Sequence, residues 1–238
     1  MTGAEASSSL PVAVVTGASH GVGLEVCRQL AGLGYVVVLG SRDLRRAEQT
    51  AKEIDPDGIR VVPARIEVDN SVNVGQLADW VRDRFGRVDA IVNNASAPPD
   101  LFGIAGTTDL SPVAEALDVN LFGAWRTIQA LLPLLRSSPR PRIVNVSSEA
   151  GAIALMSGGR PAFSVSKAAL NALTRTLAGE LYRDGILVNA VCAGPANADG
   201  ARGGRSAAQG AASVVWAVTL PNGGPTGTFT RDGRELPW

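Results

Sequence analysis

Residues 12–23, "VAVVTGASHGVG", decide the fold. An unbroken apolar run leads into a glycine-punctuated turn, and the turn opens directly into an amphipathic helical pattern over 21–33. A strand that is apolar on both faces belongs in a parallel sheet covered by helices on each side. Gly17, Gly21 and Gly23 allow a tight turn, close backbone approach to a pyrophosphate, and a helix N-terminus aimed at its charge, with Ser19, His20 and Val22 between them. The spacing is G-x-x-x-G-x-G rather than G-x-G-x-x-G. A turn of this kind also serves as a plain connection, so the rest of the chain has to decide.

Working outward, five further apolar runs follow: "YVVVLG", "IRVVPA", "VDAIVNN", "RIVNVSS" and "ILVNAVC", each bounded by Gly, Pro, Asn or Asp. Helices are expected at 21–33, 43–54, 71–85, 112–136, 163–183 and 206–218. This alternation predicts one α/β domain over 11–238, a Rossmann-like, doubly wound parallel sheet with helices on both faces. Its ligands lie beyond the carboxyl ends of the strands, where strand order reverses. Residues 1–10 are expected to be a disordered tail. The Gly- and Ala-rich stretch 193–213 reads as a mobile loop placed to cover a site.

Lys+Arg and Asp+Glu both number 22, so no net charge holds nucleic acid or an anionic membrane, and a small-molecule substrate is the expected partner. The opening segment lacks the basic and apolar parts of an export signal, and no run of about 18 apolar residues follows. Cys27 and Cys192 sit in apolar patterns with no metal-ligand spacing; no metal and a cytoplasmic location are expected. About twenty residues past the glycine turn, at the end of the second strand, a carboxylate would hydrogen-bond an adenosine ribose and repel a 2′-phosphate. Ser41 and Arg42 stand there instead, which favours NADP over NAD. Arg42 also fits a solvated helix start, and His20 an exposed turn.

The motifs "TGASHGVG", "NNAS", "VNLFG", "IVNVSSEAG", "FSVSK" and "VNAVCAGP" occur in an order and at intervals that resemble the short-chain dehydrogenase/reductase family, and the ending "GPTGTFTRDGRELPW" resembles its carbonyl-reductase-like branch. The resemblance covers about residues 10–238 and implies an NADP(H)-dependent oxidoreductase. It adds Glu67, Val68, Asn94 and Gly194 to the cofactor contacts, with Asn93 opening the N-N-A-G motif. It places Ser148 on the substrate oxygen, Lys167 on the nicotinamide ribose, and Asn120 on a water that leads protons outward. Relatives are often homodimers or homotetramers through the helices at 112–136 and 163–183, while monomers occur in the carbonyl-reductase-like branch.

One position departs from that pattern. Phe163 stands four residues before Lys167 on one helix face, where the family's catalytic tyrosine donates a proton. Tyr35 precedes the second strand, and Tyr182 lies about five helical turns beyond Phe163, so neither replaces it. Lesser departures are Ser96, Ala193 and Ala198. Three readings stay open. Phe163 is an introduced change in a ketoreductase, or it is natural in a reductase of C=N groups, or the protein binds NADPH silently or uses its pocket for a non-redox dehydration or cyclisation. Leu155, Met156, Phe163 and Trp216 are expected to give the pocket an apolar lining, although Trp216 also fits core packing.

Overall fold

The computed structural model describes residues 10–194 and 205–238. Seven parallel strands and one antiparallel edge strand form a single sheet in the order β3-β2-β1-β4-β5-β6-β7-β8. They are β1 (Val12–Val15), β2 (Val36–Ser41), β3 (Val61–Arg65), β4 (Ala90–Asn93), β5 (Arg142–Ser147), β6 (Leu187–Cys192), β7 (Phe229–Arg231) and β8 (Arg234–Glu235). The order reverses between β1 and β4, which pair through Ala13–Ala90, Val14–Ile91 and Val15–Val92. The crevice of a doubly wound sheet opens at that point.

The helices are α1 (Gly21–Gly32), α2 (Leu44–Ile54), α3 (Ser71–Phe85), α4 (Leu110–Leu117), α5 (Ala124–Leu135), α6 (Pro161–Glu180) and α7 (Ala207–Val218). Strand alternation divides the core between them. Val14, Val38, Ile91, Ile143 and Val188 face α3, α5 and α6, whereas Val15, Leu39, Val92 and Val144 face α1, α2 and α7. Both faces are covered, which is why these strands read as continuously apolar.

Two expectations need correction. The helix expected over 112–136 is broken, because Asp118–Gly123 winds as a π-helical segment between α4 and α5. Gly123 lies there against Val68, and an added Cβ would come within 2.7 Å of that side chain. Where the expected loop 193–213 overlaps the expected helix 206–218, the helix forms: Ser206 and Gln209 form a capping box for α7, and Gly210 and Ala211 are buried. The small side chains let α7 pack closely, since a Cβ on Gly210 would sit 2.9 Å from the Ala193 carbonyl. Residues 195–204, with Ala198, lie outside the described residues, as do 1–9 of the expected tail. Leu10 is held by Arg87, whose guanidinium donates to its carbonyl at 3.1 Å.

The β7–β8 hairpin lies beyond the six strands expected from the sequence. Asp232 and Gly233 both have positive φ, at 54° and 72°, as a two-residue Asp-Gly hairpin turn requires. Phe229 is buried in the small cluster this hairpin completes with Ala152, Ala190 and Cys192. Trp216 packs beneath Gly233 and on the α1 side of the core, so it lines no substrate pocket.

Candidate active site

A cleft of about 700 Å³ opens at the switch point, within the usual range for a ligand site. It is lined by the turn after β1 (Gly17, Ser19, His20, Gly21, Val22, Gly23), the end of β2 (Ser41, Arg42), Val68 after β3 and Asn94 after β4. The α1 N-terminus carries no side-chain cap, so the amides of its first turn have no capping side chain against them. Gly17 has φ of 63° and an added Cβ would lie 2.7 Å from the Ala95 Cα; a Cβ on Gly23 would lie 2.7 Å from the Gly17 carbonyl oxygen. The space beside Gly21 is empty to 4 Å. A backbone cradle with uncapped helix amides suits a pyrophosphate.

Arg42 and Arg46 both line the cleft at its β2 end, and neither has a carboxylate partner among the described residues. Arg46 carries no motif. Its signal in the sequence is the cluster of Arg42, Arg45 and Arg46 around a helix start that Asp43 caps by accepting from the Arg46 amide.

Asn94, rather than Asn93, ties the glycine turn down. Its side chain donates to the carbonyls of Thr16 and Gly17 at 3.0 and 2.9 Å. Asn93 is buried behind it and donates to Asn145 at 2.8 Å. Two residues expected at the cofactor are not among those lining the cleft. Glu67 pairs with Arg65. Gly194 has φ of 81° and is crossed by the Arg205 side chain, which a Cβ there would strike.

The reacting end lies between β5 and α6. Ser148 begins a tight turn, accepts from the Ala150 amide at 3.2 Å, and has no acceptor for its own hydroxyl hydrogen among the described residues. Gly151 lets this turn press on α6, where a Cβ would fall 2.6 Å from the Lys167 carbonyl carbon. Lys167 is buried, with 3% exposure, and its ammonium donates to the Val146 carbonyl at 2.9 Å. Burial pushes its pKa down to about 8. The Nζ stands 5.6 Å from the centre of the Phe163 ring, so residues 163 and 167 share the face expected of them.

Asn120 lies in the π-helical segment, fully buried. Its Oδ1 accepts from the Ala97 amide at 2.8 Å and its Nδ2 donates to Ser166 at 2.9 Å. Its hydrogen bonds run to the loop after β4 and to α6, not to Lys167. Tyr182 is 70% exposed at the far end of α6, and Tyr35 packs on the α1 side of the core. Neither supplies the missing phenol. Leu155 and Met156 are half exposed in the segment between Ser148 and α6, as an apolar rim requires.

The sequence matches the short chain dehydrogenase family over residues 11–208. The chain belongs to that family. This short-chain dehydrogenase is 33% identical to "Short-chain dehydrogenase/reductase 1" of Saponaria officinalis, with 99% of each chain covered, and 30% identical to "Carbonyl reductase [NADPH] 1" of Rattus norvegicus, with 98% and 100% covered. The first alignment spans 302 positions against 238 residues here, so that relative carries segments this dehydrogenase lacks. Salutaridine reductase from Papaver somniferum superposes with a TM-score of 0.80 at 26% identity, covering 93% of this chain and 99% of that one. A metagenomic short-chain oxidoreductase in complex with NADP superposes at 0.79 with 28% identity, covering 96% and 100%. Among the described residues no helix is long and apolar enough to cross a membrane, and no group of three metal-ligating side chains occurs.

Proposed function

We propose that this short-chain dehydrogenase is an NADPH-dependent reductase acting on a C=N or C=O group of a small, partly apolar organic substrate. The observation that carries the reading is the unpaired Arg42–Arg46 couple at the β2 end of a glycine-cradled cleft. Two guanidiniums there suit a ribose phosphate, and the α1 amides suit the pyrophosphate. NADPH, when bound, supplies the hydride. Ser148 meets the substrate heteroatom through its hydroxyl, donating to a carbonyl oxygen or accepting from the N–H of a protonated imine, and Lys167 offers two ammonium hydrogens, not used by the described residues, to the ribose hydroxyls.

Phe163 bears on the choice between the acceptors in this reading. A carbonyl gains oxyanion charge and needs a proton, which a phenylalanine cannot give. A protonated imine begins positive and ends neutral, so it needs none at that moment. The site therefore favours C=N. Loss of NADPH absorbance with a panel of ketones and cyclic imines, measured beside Phe163→Tyr, tests this. Expected are imine turnover by the parent protein and a gain of about 10²–10⁴-fold in ketone reduction for the variant, with little change toward imines. Tight NADPH binding without oxidation by either protein would instead support the silent or non-redox reading.

A further inference from the structure

The helix that carries Phe163 and Lys167 begins without a cap of its own. Arg160, the residue before Pro161, has φ of 50° and makes no side-chain hydrogen bond to the first turn. Pro161 suits that first position, having no amide hydrogen to leave unpaired. The next two amides are satisfied from a distant part of the chain: Asp100 accepts from the Ala162 amide through Oδ2 and from the Phe163 amide through Oδ1, both at 3.0 Å. These bonds hold the Asp100 carboxyl below the usual carboxylate range against the opposing effect of its partial burial. Gly103 continues the contact, since a Cβ there would lie 2.8 Å from the Pro161 ring.

Asp100 belongs to the loop after β4, and the start of that loop is cofactor cleft. Asn94, Ala95, Ser96, Ala97 and Pro98 all line it. Asn94 and Ala95 are fastened to the glycine turn by the bonds from Asn94 to Thr16 and Gly17 and by the close approach of Gly17 to Ala95. A second tie runs parallel to the first. The Ala97 amide donates to Asn120, Asn120 donates to Ser166, and Ser166 donates to the Phe163 carbonyl at 2.8 Å. One short loop therefore touches the expected phosphate seat at one end and holds the amide of residue 163 at the other, while its Ala97 reaches the carbonyl of that residue through Asn120 and Ser166.

We infer that Asp100 is a positioning residue that couples occupancy of the cofactor cleft to the alignment of the reacting helix. The coupling rests on the proposal that NADPH fills the cleft. A group that orders residues 94–98 also holds Asp100 against α6, and by linkage an ordered first turn of α6 favours that group's binding. An ordinary helix cap would stabilise α6 equally whether the cleft is filled or empty. Coupling requires the cap to strengthen when it is filled.

Hydrogen exchange of the full-length protein, read peptide by peptide with and without saturating NADPH, separates the two. The proteins are the parent, Asp100→Ala, Asp100→Asn and, as a stability control, Asp109→Ala, which removes the α4 cap whose carboxylate accepts from the Ser111 amide. In the parent, NADPH is expected to slow exchange both in α1 and in residues 162–167. In Asp100→Ala, α1 is still slowed while 162–167 is not, and the NADPH Kd rises by about 5–150-fold, the usual span of coupling between sites. Asp100→Asn keeps one accepting oxygen and should fall between, while Asp109→Ala should behave as the parent. If 162–167 is slowed as strongly in Asp100→Ala as in the parent, with an unchanged Kd, the coupling is refuted and the NADPH reading stands. If NADPH slows neither segment in the parent, the NADPH reading fails and the coupling with it.

Discussion

Removing the ammonium at 167 should make the nucleotide-free protein more stable and abolish its turnover. Lys167 is held with 3% exposure, and burial lowers its pKa from 10.5 to about 8. Each pH unit of such displacement is worth about 1.4 kcal/mol, so keeping the side chain charged at neutral pH costs the fold on the order of 3 kcal/mol. Lys167→Met retains the length of the side chain without the charge. It gives up the bond to the Val146 carbonyl, about 1 kcal/mol, leaving a net gain of about 2 kcal/mol. For a chain of this size that corresponds to about 4–8 °C in Tm. The pH dependence follows from the sign: the folded value lies below the unfolded one, so between pH 8 and 10.5 the unfolded chain keeps a proton that the folded chain has released. The parent's stability should rise with pH through that window, and the variant's advantage should shrink. Urea denaturation of both proteins without nucleotide at pH 7 and pH 10 measures this. A variant less stable than the parent at pH 7, or an advantage equal at both pH values, would refute the reasoning. Turnover should be lost throughout, because the two hydrogens offered to the ribose go with the ammonium.

The remaining expectations concern the cofactor half. Alanine at both Arg42 and Arg46 should weaken NADPH by at least 10²-fold, at about 1.5–3 kcal/mol per charge-assisted bond, while leaving NADH affinity nearly unchanged; equal losses for both nucleotides in a fluorescence titration would remove the arginines from the phosphate site. Gly23→Ala places a Cβ 2.7 Å from the Gly17 carbonyl oxygen and 2.9 Å from the Ala18 Cα. Backbone on both sides leaves it nowhere to go, so a loss of about 1–3 kcal/mol by denaturant titration is expected, together with loss of NADPH binding. Retention of both would show that the turn relaxes freely.

Much of the site was legible because its chemistry depends on short-range spacing. Gly17, Gly21 and Gly23, spaced between an apolar strand and a helix, point to a cradle, and the four-residue step from Phe163 to Lys167 fixes a shared helix face whatever the packing around it. The same step set Phe163 in the register where the family resemblance implies a tyrosine. The harder residues have no local signature. Asp100 looks like any loop carboxylate, and only the return of the chain after 62 residues brings it to the amides of α6. Glu67 occupies a family position by resemblance, yet in the fold its carboxylate pairs with Arg65.

By itself the sequence determined the class of sheet, through unbroken apolar runs that only a doubly covered strand can use, and the place of the glycine turn, through backbone freedom that other residues lack. Tertiary structure decided which side chains meet. It widened the helix at Asn120, whose side chain bonds two other elements, packed α7 closely through its small residues, and buried an ammonium beside a hydrocarbon ring. The physical reason is that periodicity and φ preference act over a few residues, whereas desolvation and hydrogen-bond pairing depend on groups that the chain brings together only when it is folded.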